Sequence, residues 1–275
     1  MGDERRTSPD RGPGALPVED ALQLLRHGEL ELEGRLLGAS NVTLRAQITL
    51  DGVTARCVYK PIRGERPLWD FPHGTLAGRE VAAYLVSEAA GWGLVPPTVL
   101  RSGPIGEGAC QLWIDECEDA EPLVGFVPAD SLPPGWLKVA DAEDEDGAPY
   151  LLAHADDENL AKLAVLDAVV NNADRKGGHV LRTADRIYGV DHGVCFHVED
   201  KLRTVLWGWV GRPLPERDAL AALAAALAGE LGERLAELLL PEEVEATANR
   251  VDRLLTEGVF PPPSPGWPAV PWPPM

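Results

Sequence analysis

Apolar and polar residues largely alternate along Leu44-Arg45-Ala46-Gln47-Ile48-Thr49-Leu50 and again, after Asp51-Gly52, along Val53-Thr54-Ala55-Arg56-Cys57-Val58-Tyr59-Lys60. A period of two on both sides of an Asp-Gly pair predicts two antiparallel strands joined by a two-residue turn, within a strand-like region from Gly28 to Lys60. Residues 78–90 then place Val81, Tyr84, Leu85 and Ala89 on one helical face with Gly91 just past the end, which predicts a capped helix. Residues 109–114 read as a further strand. Beyond them the spacing changes to three and four. Helices are predicted over 157–170, over a region marked by Leu220, Leu223, Leu227, Leu231 and Leu235 that Gly229 and Gly232 can split, and over 241–257. Strands first and helices afterwards predict a segregated α+β architecture rather than alternating βαβ units.

Between Lys138 and Lys162 stand eight acidic residues and no Lys or Arg, interspersed with Gly and Pro. This composition predicts a solvated connection, with recruitment of a cationic partner as the alternative. The first sixteen residues, and residues 261–275 with Pro at eight positions, are expected to be tails without regular elements, the first of them disordered. The chain is thus expected to divide into a tail (1–16), a strand-rich lobe (17–115), a helix-rich lobe (116–260) and a Pro-rich tail (261–275).

A length of 275 residues with 45% hydrophobic content suits one large core or two modest lobes. A formal net charge of −19 opposes attraction to phosphate backbones and anionic lipid, so neither nucleic acid nor stable membrane association is expected. There is no run of eighteen apolar residues and no apolar segment near Met1, which leads to the expectation of a cytoplasmic protein. Cys57, Cys110, Cys117 and Cys195 lack zinc-type spacing and are expected to be reduced, mostly buried thiols.

Several polar residues interrupt these apolar runs. Lys60 ends the second strand of the hairpin, where an ammonium would project from a sheet edge into a cleft; a surface lysine is the plain alternative. Glu80, twenty residues on, begins the following helix and either compensates its dipole or pairs with Lys60. The run Asn171-Asn172-Ala173-Asp174-Arg175-Lys176-Gly177-Gly178-His179 follows an apolar helix directly. It is either a polar turn or a loop in which Arg175 and Lys176 hold Asp174 ionised. Tyr188-Gly189-Val190-Asp191-His192-Gly193-Val194 then carries an apolar strand into an Asp followed by Gly. One carboxylate in each of two loops suits divalent-metal and phosphate chemistry, because Mg²⁺ takes few protein carboxylates and fills its shell with phosphate oxygens and water.

In their order along the chain these stretches resemble the phosphatidylinositol 3- and 4-kinase superfamily, nearest to the type II phosphatidylinositol 4-kinases and more distantly the HipA-type kinases. The resemblance spans about residues 36 to 195 and rests on Val58-Tyr59-Lys60-Pro61, Gly78-Arg79-Glu80 with Val95-Pro96-Pro97-Thr98, Cys110-Gln111-Leu112-Trp113-Ile114, Asn172-Ala173-Asp174-Arg175 and Asp191-His192-Gly193. It implies a bilobal protein-kinase-like fold that binds ATP with Mg²⁺ or Mn²⁺ and phosphorylates a hydroxyl of a soluble protein or small molecule, less readily a phosphoinositide. A pseudokinase is the alternative.

By the same resemblance Lys60 would contact the α- and β-phosphates, Glu80 would orient Lys60, and Gln111, Trp113 and Ile114 would hold adenine. Asp174 would accept the acceptor's proton, Asp191 would hold the metal, and Ser40, in the Gly38–Asn41 loop, would meet phosphate if that loop is more than a β-turn. His179 stands where the family has an Asn as second metal ligand. Two segments go beyond the family pattern. Arg66 to Thr75 either closes over the nucleotide or packs as a surface loop, and Leu206-Trp207-Gly208-Trp209-Val210 either meets a membrane interface or serves packing and docking.

Overall fold

The computed structural model describes residues 16–36, 41–71, 75–117 and 119–275. Helix α1 (Val18–His27) precedes strands β1 (Glu29–Arg35), β2 (Leu44–Leu50) and β3 (Val53–Pro61). Helix α2 (Leu76–Ala89) and strands β4 (Thr98–Gly103) and β5 (Gly106–Leu112) follow. The five strands form one antiparallel sheet in the order β1-β2-β3-β5-β4. The expected hairpin is present, with Leu50 opposite Val53 and both Asp51 (φ +50°) and Gly52 (φ +81°) left-handed, as a two-residue turn of the type I′ kind requires. Its alternation buries Ala46 and Ile48 on β2 and Ala55, Cys57 and Tyr59 on β3. Lys60 therefore belongs to the central strand of the sheet, not to an edge as its sequence position suggests.

The second half is helical where expected: α3 (Glu158–Val170), α4 (Arg217–Leu227), α5 (Glu230–Ala236) and α6 (Pro241–Glu257). Gly229 separates α4 from α5, and Leu220, Leu223, Leu227, Leu231 and Leu235 are all buried. The acidic stretch departs from expectation. Strands β6 (Val124–Pro128), β7 (Trp136–Glu143) and β8 (Pro149–Ala155) make an antiparallel sheet in the order β6-β8-β7, so residues 138–155 are not a plain connection. Leu151, Leu152 and Ala153 are all buried, so both faces of the central strand β8 are covered, while acids such as Asp141 and Glu143 occupy outward or terminal positions. A short hairpin of β9 (Val180–Arg182) and β10 (Ile187–Gly189) completes the set.

The W-G-W segment is a single 3₁₀ turn with both tryptophans buried, which settles it as packing. Trp209 lies 4.2 Å from the His154 ring and 5.8 Å from Phe260, and its indole donates to Asp156 (2.7 Å). Residues 261–275 form no helix or strand, yet they pack: the Ala269 carbonyl accepts from Thr204, and Val270 lies against the core. All four cysteines are free, and three of them are buried. Among the described residues no helix is long and apolar enough to cross a membrane.

His154 fixes the β8 end of this packing. Its Nδ1 donates to the Ala155 carbonyl (2.8 Å) while Nε2 accepts the Gly208 amide (3.0 Å), an arrangement that only the neutral ring can make. Burial holds its pKa down at about 4, against an ordinary 6.5. The unfolded chain takes up this proton near the ordinary value and the folded chain only near the lower one. Stability from this ring is therefore complete above about pH 6.5 and is lost as pH falls towards about 4, by about 3 kcal/mol in all. Thermal unfolding followed across that range should show a falling midpoint whose slope is reduced in His154→Gln.

Candidate functional site

Glu80 sits in the first turns of α2, whose N-terminus is capped by the Thr75 hydroxyl accepting the Gly78 amide (2.9 Å). Two neighbouring side chains point this helix two ways. Arg79 donates to the Cys195 carbonyl (2.6 Å) and to Glu243 of α6 (2.6 Å), while Glu80 hydrogen-bonds Lys60 of β3 and accepts the His192 amide (3.0 Å). Lys60 Nζ also lies 3.0 Å from Asp191 Oδ1, and His179 Nε2 lies 3.4 Å from Asp191 Oδ2. Four expected site residues from four separate segments thus converge. Asp191 is left-handed (φ +61°), a strained conformation that Asp tolerates better than most residues and that turns its carboxylate into this cluster.

The charges are mutually dependent. Burial works to lower the Lys60 ammonium, but Asp191 and Glu80 together raise it above its ordinary value. The Lys60 charge holds the half-exposed Asp191 carboxylate well below its ordinary range, while burial raises Glu80 in opposition to Lys60. Burial lowers His179 to about 4, so its imidazole is neutral and one of its ring nitrogens carries a lone pair. A neutral imidazole nitrogen and an ionised carboxylate fit a divalent ion whose other ligands are phosphate oxygens and water. Among the described residues no group of three or more His, Cys, Asp and Glu side chains could hold such an ion alone.

Asp174 is placed differently from the sequence expectation. Burial raises its carboxyl, with Lys176 (3.2 Å) and Arg203 (3.9 Å) opposing. Arg175, expected beside it, turns fully inward. Its guanidinium makes a two-pronged pair with Asp167 of α3 (2.9 Å twice) and donates to the Val190 carbonyl (2.7 Å), the His179 carbonyl (3.2 Å) and His192 Nε2 (2.7 Å). Asn172 donates to the same Asp167 (3.0 Å) and accepts the Asp174 amide (2.9 Å). The reason is steric and electrostatic together: Asp167 is the only acid inside the apolar run of α3 and needs a buried counter-charge.

The remaining expected residues lie elsewhere. Gln111 is buried in β5 with its amide on Thr98 Oγ1 (2.9 Å), two positions beyond Ala109, the residue opposite Lys60. The Trp113 amide donates to the Arg56 carbonyl (3.0 Å) and its indole to Asp115 (3.1 Å), and Ile114 is buried. Ser40 falls outside the described residues. In the Arg66–Thr75 segment Phe71 is buried against His197 (5.3 Å) and beneath the Arg79 guanidinium (4.9 Å), whereas Trp69 is exposed.

Asp167, His192 and Arg203 carry structure here that the sequence reading did not assign, whereas Lys176 stands beside Asp174 as expected. An aspartate inside an apolar helix, eight residues before an arginine, was the available signal for the first.

A five-stranded antiparallel sheet with one helix supplying a glutamate to a strand lysine, followed by a helical region that presents two aspartates, is a kinase-like fold. Solved structures agree. The chain superimposes on the Golgi casein kinase with Mn/ADP bound at a TM-score of 0.52 and 14% identity, covering 87% of this chain and 75% of that one. For hydra Fam20 with sugar the values are 0.50 and 15%, covering 87% of each chain. No protein-family model matches. In sequence the chain is 49% identical over 266 residues to Protein Rv2133c of Mycobacterium tuberculosis (strain ATCC 25618 / H37Rv), covering 93% of this chain and 95% of that protein, and it belongs to the Rv2133c family.

Breaking the buried pair tests its place in the fold. Asp167→Asn leaves the Arg175 charge without its counter-ion and should cost about 3–5 kcal/mol of unfolding free energy. Urea titration of the variant against the parent chain measures the loss.

Proposed function

We propose that this protein is an atypical ATP-dependent kinase that transfers the γ-phosphoryl group to a hydroxyl of a soluble protein or small molecule. The observation that carries the reading is the convergence of Lys60, Glu80, Asp191 and His179 from four segments. Lys60 meets the α- and β-phosphates, and Glu80 holds Lys60 in place from α2. Asp191 and His179 hold a Mg²⁺ or Mn²⁺ ion, which supplies charge neutralisation at the phosphates when bound. Asp174, its carboxyl raised by burial, accepts the acceptor hydroxyl proton as the new P–O bond forms and the bond from γ-phosphorus to the bridging oxygen breaks, releasing ADP. Gln111, Trp113 and Ile114 are assigned to the adenine side and Ser40 to the phosphates on the motif resemblance alone.

The fold likeness to a kinase solved with Mn/ADP supports the nucleotide and the metal. Descent from the phosphatidylinositol 3- and 4-kinase superfamily is a finer proposal that rests on the order of the motifs. Free cysteines and the acidic charge support a cytoplasmic setting and an acceptor that is neither nucleic acid nor lipid bilayer. A pseudokinase is the second reading, and the observation favouring it is the short metal-ligand set.

Turnover and thermal stabilisation by ATP with metal separate the two, because a bound ligand raises apparent stability whether or not chemistry follows. Asp174→Asn should keep the stabilisation and lower turnover by roughly 10²–10⁴-fold. Asp191→Ala should lose metal-dependent stabilisation altogether. Stabilisation of the parent chain without any turnover, in the presence of a broad acceptor mixture, would favour the pseudokinase.

The imidazole at His179 bears on metal choice. A nitrogen ligand suits Mn²⁺ better than Mg²⁺, so Mn²⁺ should give the larger stabilisation, and His179→Asn should shift the preference towards Mg²⁺. Thermal shifts measured with each ion at matched nucleotide concentration check this, and an unchanged preference in the variant would remove His179 from the metal shell.

A further inference from the structure

Residues 267–275 touch the loop of Asp174 and His179 at Gly177 and pack along residues 201–207 beside it. The Ala269 carbonyl accepts both the Thr204 amide (3.1 Å) and the Trp207 indole Nε1–H (2.7 Å). The Trp267 ring covers Lys201 at 4.2 Å and stacks on Trp69 at 6.1 Å. At the far end the Pro274 carbonyl accepts the Gly177 amide (2.8 Å), and a Cβ on Gly177 would lie only 2.6 Å from Met275 Sδ.

These contacts bracket one loop. Thr204 is the bridge partner of Arg175, the residue after Asp174, and Arg203 binds both the Ala173 carbonyl (2.7 Å) and Asp174 (3.9 Å). Gly177 lies midway between Asp174 and His179. Arg175 anchors the start of the loop through Asp167 and its end through the His179 and Val190 carbonyls. The middle is anchored by Pro274. Five prolines between positions 265 and 274 restrict the unfolded segment, so ordering it costs less conformational entropy than ordering a flexible strap of the same length. Lys201, nearly buried, lies 3.5 Å from Asp70 and faces the rings of Trp69, Phe71 and Trp267, with Trp267 the nearest of the three.

We infer that residues 267–275 are a positioning element of the candidate site, holding Asp174 and His179 at fixed places on either side of Gly177. The segment touches no reacting atom; it acts through the loop, where a displacement of about 1 Å can cost roughly 10²-fold in rate. The part of this inference that concerns turnover rests on the kinase reading; the part that concerns loop order does not.

Hydrogen exchange of the full-length chain, read by mass spectrometry over residues 174–180 and over α3, decides it without any substrate. Trp267→Ala should speed exchange of 174–180 roughly tenfold and leave α3 unchanged, and Trp267→Phe should restore protection. Trp207→Phe, which removes one hydrogen bond and keeps a ring, is the second variant and should act in the same direction more weakly. Unchanged exchange of 174–180 in both Trp267→Ala and Trp207→Phe overturns the inference. So does faster exchange spreading to α3 in both, since the segment would then hold the whole helical region and not the loop. Where the parent chain turns over, Trp267→Ala should lower kcat roughly tenfold with KM for ATP within about twofold, the split expected of displaced catalytic groups and intact nucleotide binding. A parent chain that never turns over defeats the kinase reading and leaves the exchange result standing on its own.

Discussion

The guanidinium of Arg175 has no water to turn to. Both it and the Asp167 carboxylate opposite are fully buried, and each alone would carry a desolvation cost that no apolar packing could offset. Together they are tolerated because every direction of the fork is used: two prongs on Asp167, others on the Val190 and His179 carbonyls and on His192. The consequence reaches well beyond one ion pair. α3, the loop of Asp174 and His179, and the segment leading to Asp191 are bound to one planar group, so the two aspartates of the candidate site cannot move independently of it. His192 is drawn into the same constraint, since accepting from Arg175 requires an unprotonated Nε2, and burial with two nearby cations keeps its pKa well below the ordinary value.

The helix α2 performs the matching task on the other side. Adjacent residues Arg79 and Glu80 leave it in different directions, one to α6 and the Cys195 carbonyl, the other to Lys60 and the His192 amide. Because His192 makes a backbone contact to Glu80 and a side-chain contact to Arg175, the strand lysine and the buried arginine are three hydrogen bonds apart in one network. Any rotation of α2 that withdraws Glu80 from Lys60 also disturbs the Asp191 turn. The strain of a left-handed Asp191 is maintained by these two holds, an economical way to fix a carboxylate that is itself half exposed.

Local pattern carried much of this in the sequence, and non-local pairing carried the rest. The β2–β3 hairpin, α2, α3, α6 and the break at Gly229 follow from period and turn chemistry acting over a few residues. Lys60, Glu80 and Asp191 were legible as candidates because each interrupts an apolar element. The β6-β8-β7 sheet was not, since charge density in 138–162 masked the apolar run Leu151-Leu152-Ala153 that the sheet buries. Arg175 was misplaced for the same kind of reason: next to Asp174 in sequence, it is turned away by Asp167, eight residues earlier and one helical face distant. Nothing in a Pro-rich composition says that its carbonyls, unable to find partners in a helix or sheet, will be taken by Gly177, Thr204 and Trp207.

Charge in this strongly acidic chain is paired locally. All five lysines have an acidic partner within 4 Å: Lys60, Lys138, Lys162, Lys176 and Lys201. Most of the excess negative charge lies on outward positions, where screening at physiological salt confines it to about 8 Å. Inside the cluster the pairing is local, with Lys60 facing two carboxylates and His179 uncharged, which leaves a formal excess of negative charge. On the proposed kinase reading, a triphosphate entering there would exchange one partner of Lys60 for another, and the carboxylate it displaces, Asp191, lies 3.4 Å from the neutral His179 imidazole with which it would hold a cation. The net charge of the whole chain therefore says little about this site, and the pairing of Lys60 with both acids at once says a great deal.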